Sequence, residues 1–317
     1  MSQPARLSRY LPARPASADL LLASAVTLWA FNYTVIKFGL GEIAPLAFPV
    51  FRFGIGGLVV LAAVRVREGS VGFERADLRP LFLAGLLGIT VGQISFMYAL
   101  NNTGASDTAL LGATGPLVTT IMAAAVRIER PDGRHWLGVA VGLCGATLVI
   151  GGGTGGLRLG SDLLGDGLAL GNVLASTAGV LAIMPLLSRY SAWRVLAWQM
   201  LIGTALLVPL AVPELAAQNY AAISPAAWGS LAYATFASGI VTNLLYYTAM
   251  GRVGPSRAAI YQYLQTFLAV VLAIVVLGEQ ITPAQVLGGL VVVGGVVLGG
   301  AAAGRSAGKG DSAAGSS

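Results

Sequence analysis

The chain is a succession of long, uninterrupted apolar runs, and a run of about 20 such residues is what an α-helix needs to cross the hydrocarbon core of a bilayer. Ten windows qualify: 19–38, 45–66, 80–100, 105–126, 136–153, 166–187, 194–213, 226–249, 255–277 and 283–303. The runs are continuously apolar and do not alternate, so strands of a membrane barrel are excluded as the main element. Only 10% of the residues are charged and 56% are hydrophobic, against about 25% charged in a soluble domain. Pro45, Pro80, Pro255 and Pro283 fall at or near span starts, where a missing N–H costs little. The expected fold is an all-α polytopic membrane protein of ten transmembrane helices.

Charge tests this segmentation independently, because cytoplasmic loops collect Lys and Arg. With the N-terminus inside, the N-tail carries Arg6, Arg9 and Arg14, and the second loop Arg65, Arg67, Arg75 and Arg79. The fourth loop has Arg127, Arg130 and Arg134; the sixth and eighth have Arg189, Arg194, Arg252 and Arg257; the C-tail has Arg305 and Lys309. That places 16 of the 19 basic residues inside and only Arg158 in an external loop, with Lys37 and Arg52 inside spans. Both termini are expected in the cytoplasm. The arginines before the first run resemble a secretory signal, but the run has full bilayer length and no convincing cleavage site, so it reads as a retained span. The net charge of +6 is thus a topology signal. No arginine cluster interleaved with aromatics stands ready for nucleic acid. The single cysteine, Cys144, allows no internal disulfide and reads as a buried packing residue.

A shift of 150 residues aligns 81–148 with 231–298 without a gap, at 15 identities in 68 positions. Tyr98-Ala-Leu-x3-Gly104-x-Ser106 meets Thr248-Ala-Met-x3-Gly254-x-Ser256, Glu129 meets Glu279, and Gly145 meets Gly295. An odd number of spans per copy makes the second copy enter from the opposite face. The chain therefore reads as two inverted five-helix repeats, as in many alternating-access transporters. The expected boundaries are an N-terminal tail (1–18), repeat 1 (19–153), an external linker (154–165), repeat 2 (166–303) and a disordered tail (304–317).

Leu28-Trp29-Ala30, Phe51-Arg52-Phe53, the turn at 98–105 with its counterpart, the Gly278-Glu279 helix end and the glycine-studded fifth and tenth spans together resemble the EamA family of the drug/metabolite transporter superfamily. The resemblance covers nearly everything between the tails and is nearest to YddG-type amino-acid exporters. It departs at Ile128-Glu129, where the family ends the helix in Gly-Glu. What it implies is a transporter of the bacterial inner membrane, working in the direction of export, with the fifth and tenth spans as outer buttresses.

Catalytic signatures are missing. The sequence has no HExxH, no GxxxxGK[ST] and no nucleophile elbow. Its sole histidine, His135, lies between Arg134 and Trp136 at a boundary and reads as an interfacial anchor. No enzyme, cofactor or metal is expected. A transporter needs instead a polar path within an apolar bundle. Arg52, about 10 Å into the second span, either snorkels to the external interface or offers a cavity cation to a substrate carboxylate. Lys37 reads as a snorkelling residue, and Asp107 as a helix-start charge or a partner for Arg52 or Lys37.

The uncharged polar residues say more together. Gln93 falls on Asn243 under the repeat shift, near the axis where transporter sites lie. Tyr246 and Tyr247 follow Asn243 on the same helix, and the ninth span carries Tyr261, Gln262, Gln265 and Thr266. Their counterparts Leu111, Gly112, Gly115 and Pro116 are small or apolar, so a cavity with one polar wall is expected. With Arg52 and Tyr98 these form the candidate substrate site. Asn32, Tyr33, Asn172, Ser176, Thr177 and Gln199 are weaker candidates, and Pro116 and Pro185 are candidate hinges. The bland alternative is that each polar group merely bonds a neighbouring helix. An amide- and phenol-rich cavity suits a zwitterionic metabolite such as an amino acid, aromatic ones included. A lipophile exporter and a non-transporting membrane enzyme or scaffold are the rivals. A monomer is expected.

Overall fold

The computed structural model describes residues 15–125, 133–151, 161–253, 255–278, 280–295 and 298. The Glu129–Glu279 pair, Arg158, the 304–317 tail and most of the N-terminal tail lie outside them, as does the side chain of His135. The described residues are mostly helical, with no strand among them. In chain order the helices are α1 (Pro15–Gly39), α2 (Ala47–Glu68), α3 (Arg75–Asn102), α4 (Ala105–Gly112), α5 (Gly115–Ala125) and α6 (Gly133–Gly151). They continue as α7 (Ser161–Leu187), α8 (Ala192–Ala217), α9 (225–253), α10 (Pro255–Leu277) and α11 (Pro283–Gly295).

Ala18–Gly39, Ala47–Glu68, Arg75–Asn102, Leu163–Leu187 and Ala192–Ala217 are each long and apolar enough to cross a membrane. Large apolar side chains such as Leu58, Phe267 and Val275 face outward, as lipid permits and water does not. Cys144 corrects an expectation, because it is exposed on α6. An outward-facing residue of a lipid-solvated helix keeps apolar surroundings without being packed.

The helix contacts recur in pairs. α1 packs on α9 and α10, and α7 packs on α3 and on α4–α5; α2 packs on α9, and α8 on α3. α2 packs on its own counterpart α8, and α6 on α11. Both self-pairs are antiparallel: Glu68 ends α2 against Ser191 and Arg194 at the start of α8, while Glu214 near the end of α8 accepts the Leu46 N–H at the start of α2. In the α6–α11 crossing, a Cβ on Gly145 would meet the Gly288 carbonyl at 2.7 Å, and one on Gly295 the Gly138 carbonyl at 2.6 Å. Only glycine lets these backbones touch, and the two positions are related by the repeat shift.

Two departures from plain helices matter. α3 and α9 each widen into a π-helix, at Ala84–Val91 and at Ala234–Val241, equivalent positions under the 150-residue shift. The described part of the window 105–126 is two helices, α4 and α5, separated at Ala113-Thr114. Pro116, the second residue of α5, has no N–H to return to the preceding turn, so a continuous helix would lose a bond there.

Candidate functional site

A cavity of about 300 Å³ lies between α1, α2, α3, α4–α5, α7, α8, α9 and α10. Gly88 and Ile89 of the α3 π-segment line it, and Asn243 lines it just after the π-segment of α9. At the start of each π-segment a polar side chain from a helix of the other repeat reaches the first carbonyl. Arg52 Nε of α2 donates to the Ala234 oxygen at 3.0 Å, and Gln199 Nε2 of α8 donates to the Ala84 oxygen at 3.4 Å. Thr90 and Thr242 bond back into the widened turns, to Gly85 and Ala237. π-turns leave carbonyls off the regular ladder and recur at functional sites; here side chains take them up.

Of the sequence-predicted residues, Arg52, Asn32, Gln93, Asn243, Tyr246, Tyr247, Gln262 and Gln265 all line this cavity. Arg52 is 4% exposed. Beyond Ala234 it donates to Ser238 Oγ at 3.2 Å and to Gln93 Oε1 at 3.5 Å, with Phe53 beneath its guanidinium. No carboxylate among the described residues pairs with it. A buried cation held only by neutral acceptors keeps an unmet demand for an anion. Gln262 Nε2 donates to the Tyr246 hydroxyl at 3.2 Å, Gln265 Nε2 to the Tyr33 hydroxyl at 3.5 Å, and the Tyr247 hydroxyl to Gln199 Oε1 at 3.2 Å. Asn243 turns onto its own helix, donating to the Gly239 carbonyl at 2.8 Å.

Two predicted residues sit elsewhere. The Tyr98 hydroxyl donates to Glu214 Oε1 at 2.8 Å, in the clasp that holds the end of α8 to the start of α2. Tyr261 packs at the edge of an apolar cluster. Pro116 stands beside the α4–α5 break, and Pro185 lies two residues from the end of α7. Lys37 donates to the carbonyls of Leu100 and Thr103 at the end of α3, a cation on the negative end of a helix dipole. Asp107 accepts from Gln285 and Thr103.

Trp29, Phe96, Met200 and Met250 also line the cavity. No sequence signal distinguishes them from core residues, because an aromatic or thioether in an apolar span packs by default. Tyr33, Asn172, Ser176, Thr177 and Gln199, weak candidates individually, contribute to the same wall. Among the described residues no Asp or Glu lines the cavity, and no cluster of three metal-ligating side chains occurs. The arrangement can hold a small polar guest by hydrogen bonds and one positive charge.

Comparison with known proteins places this geometry in a family. The model of the EamA-like transporter family matches residues 16–151 and again 163–299. An "uncharacterized transporter" of Archaeoglobus fulgidus is 23% identical over 271 residues, covering 86% of this chain and 93% of that protein. A "probable terminal-alkyne amino-acid exporter" of Streptantibioticus cattleyicolor is 27% identical over 276 residues, covering 83% and 89%. The "uncharacterized inner membrane transporter YedA" of Escherichia coli is 29% identical over 263 residues, covering 80% and 81%. One solved crystal structure superposes with a TM-score of 0.63 at 19% identity, covering 89% of this chain and 96% of its own, and shows the shared fold. A two-copy match over most of the chain, around a central polar cavity, makes this a multi-pass membrane transporter of small molecules and not an enzyme, and the chain belongs to the EamA-like transporter family.

Proposed function

We propose that the protein is a secondary transporter of the bacterial inner membrane that exports small polar metabolites, amino acids first among them and aromatic ones included. The observation that carries this reading is the cavity itself: among the described residues, amides and phenols from both repeats, one buried guanidinium and no carboxylate line it. A phosphate or nucleotide carrier would need several cations there, and the described residues of the wall include one. The relative named as a probable amino-acid exporter supports the same substrate class. Arg52, Asn32, Gln93, Asn243, Tyr246, Tyr247, Gln262 and Gln265 are the proposed substrate-binding residues; Tyr98 and Tyr261, outside the cavity, are left to helix packing.

Ten spans in two inverted repeats, with both termini in the cytoplasm, complete the proposal. Ten apolar windows, the 16-to-1 charge split and the antiparallel self-pairs α2–α8 and α6–α11 support it. The repeats would be 19–153 and 166–303, joined by an external 154–165 linker and flanked by the 1–18 and 304–317 tails. No Asp or Glu among the described residues lines the cavity, which favours facilitated movement down the substrate gradient, in a monomer. The second reading, a lipophile exporter, draws on Trp29, Phe96, Met200 and Met250 in the wall.

Counterflow into proteoliposomes with a mixed amino-acid pool separates the two. Gln93→Leu, Asn243→Leu and Gln265→Leu should each slow amino-acid exchange about tenfold, the value of one lost hydrogen bond to a charged group. Unchanged exchange in all three would remove the proposed site.

A further inference from the structure

The unmet hydrogen-bonding capacity of the cavity is polarised, and it deepens the proposed function by describing the substrate's head group. A guanidinium has five N–H donors, and Arg52 uses three, on Ala234, Ser238 and Gln93. One N–H on each terminal nitrogen therefore remains. Gln93 gives its Oε1 to Arg52, which leaves its Nε2 as a further donor. The α2–α3 side of the cavity thus has donors and a positive charge without an anion.

The α10 side is the reverse. Gln262 and Gln265 give their Nε2 groups to the Tyr246 and Tyr33 hydroxyls, which leaves both Oε1 atoms without donors. Gly115 faces this carbonyl edge: a Cβ there would lie 3.5 Å from Gln262 Oε1, so the glycine keeps room beside it. On α1, Asn32 is 5% exposed, lines the cavity, and has a buried Oδ1 with no partner. A buried acceptor without a donor is costly, and a ligand ammonium supplies three.

We infer that the cavity is a zwitterion site with two separate poles. The carboxylate of an α-amino acid binds at Arg52 and Gln93, and its ammonium binds at the carbonyl edge of Gln262 and Gln265, with Asn32 as a third acceptor. A molecule bearing only one of the two groups leaves the opposite pole unpaired and binds about 10- to 100-fold more weakly, as expected for charge-assisted hydrogen bonds.

The test uses the whole protein in proteoliposomes and three matched probes: L-phenylalanine, phenethylamine and 3-phenylpropionate, each competing for amino-acid counterflow. The wild type should prefer phenylalanine over both analogues. Arg52→Gln should abolish the preference over phenethylamine and keep that over 3-phenylpropionate. The Gln262→Leu, Gln265→Leu double variant should do the opposite. The ratio within each variant is the readout, so altered expression does not move it, and the double variant tests the ammonium pole even where Arg52→Gln does not fold. Unchanged ratios alongside intact phenylalanine exchange would overturn the two-pole site and leave amino-acid transport standing. Lipophilic cations competing where phenylalanine does not would overturn both.

Discussion

Arg52 and Glu42 show how position decides what a charged side chain does in this molecule. Arg52 is buried among neutral acceptors and faces the cavity, so its charge is available to a guest. Glu42, in the loop between α1 and α2, accepts from the Ser224 backbone N–H at 2.6 Å and from its hydroxyl at 2.8 Å. It thereby holds Ser224, whose hydroxyl caps the start of α9 by accepting from the Ala227 N–H at 3.2 Å. These bonds stabilise the ionised carboxylate and hold its pKa below the usual value. A depressed pKa means the clasp is intact above the ordinary carboxylate pKa of about 4.3 and is lost as pH falls through the lowered value. At the other end of the bundle, Arg189 is held cationic by Glu74 and Asp77, so that end does not change charge through the arginine. Hydrogen exchange should show the Ser224 amide protected at neutral pH, and Glu42→Gln should remove much of that protection. Equal protection in both proteins would mean the carboxylate bond does not hold the loop.

At the scale of elements, the paired π-segments are the most informative feature, and the sequence conceals them. The repeat shift aligns 84–91 with 234–241, but nothing in Ala-Gly-Leu-Leu-Gly or Ala-Thr-Phe-Ala-Ser separates a π-turn from an α-turn. The widening depends on partners distant in sequence: Arg52 on Ala234, Gln199 on Ala84, and Thr90 on the Gly203 carbonyl at 2.9 Å. The α4–α5 break was half visible, since Pro116 marked a weak point without saying that the helix parts. The polar seam was legible because amides and phenols stand out in an apolar chain. Its aromatic and methionine lining was not, for the opposite reason.

The close approach of α8 to the π-segment of α3 gives a test at this scale. A Cβ on Gly203 would fall 2.3 Å from Ile89 Cβ, whereas one on Gly229 in α9 meets nothing within 4 Å. Gly203→Ala should destabilise the protein by about 1–3 kcal/mol through overpacking. Gly229→Ala should be neutral or stabilising by up to about 1 kcal/mol, as expected in an open helix position. Thermal melts followed by size-exclusion would distinguish them, and equal melting temperatures would contradict the described packing.

At the scale of the molecule, the repeat explains both the scaffold and its asymmetry. Contacts recur from one repeat to the other, and the self-paired helices α2–α8 and α6–α11 run antiparallel. Within that near-symmetry the cavity is built unequally. Gln262 and Gln265 stand where the first repeat has Gly112 and Gly115, so one side brings acceptors and the other leaves space. The carbonyl of Ala234 is met by the charged Arg52, while its equivalent, that of Ala84, is met by an uncharged glutamine, Gln199. A scaffold repeated twice thus yields a site with direction, which is what a guest with two different ends requires.

The most direct measurement is amino-acid counterflow in proteoliposomes for the wild type and for Gly115→Phe, which fills the space beside Gln262 without touching the α2–α8 clasps. The wild type should exchange amino acids, and the plugged variant should fold, melt near the wild type and exchange none. Exchange at the wild-type rate through a plugged cavity, or no amino-acid exchange by the wild type at all, would contradict a central amino-acid path.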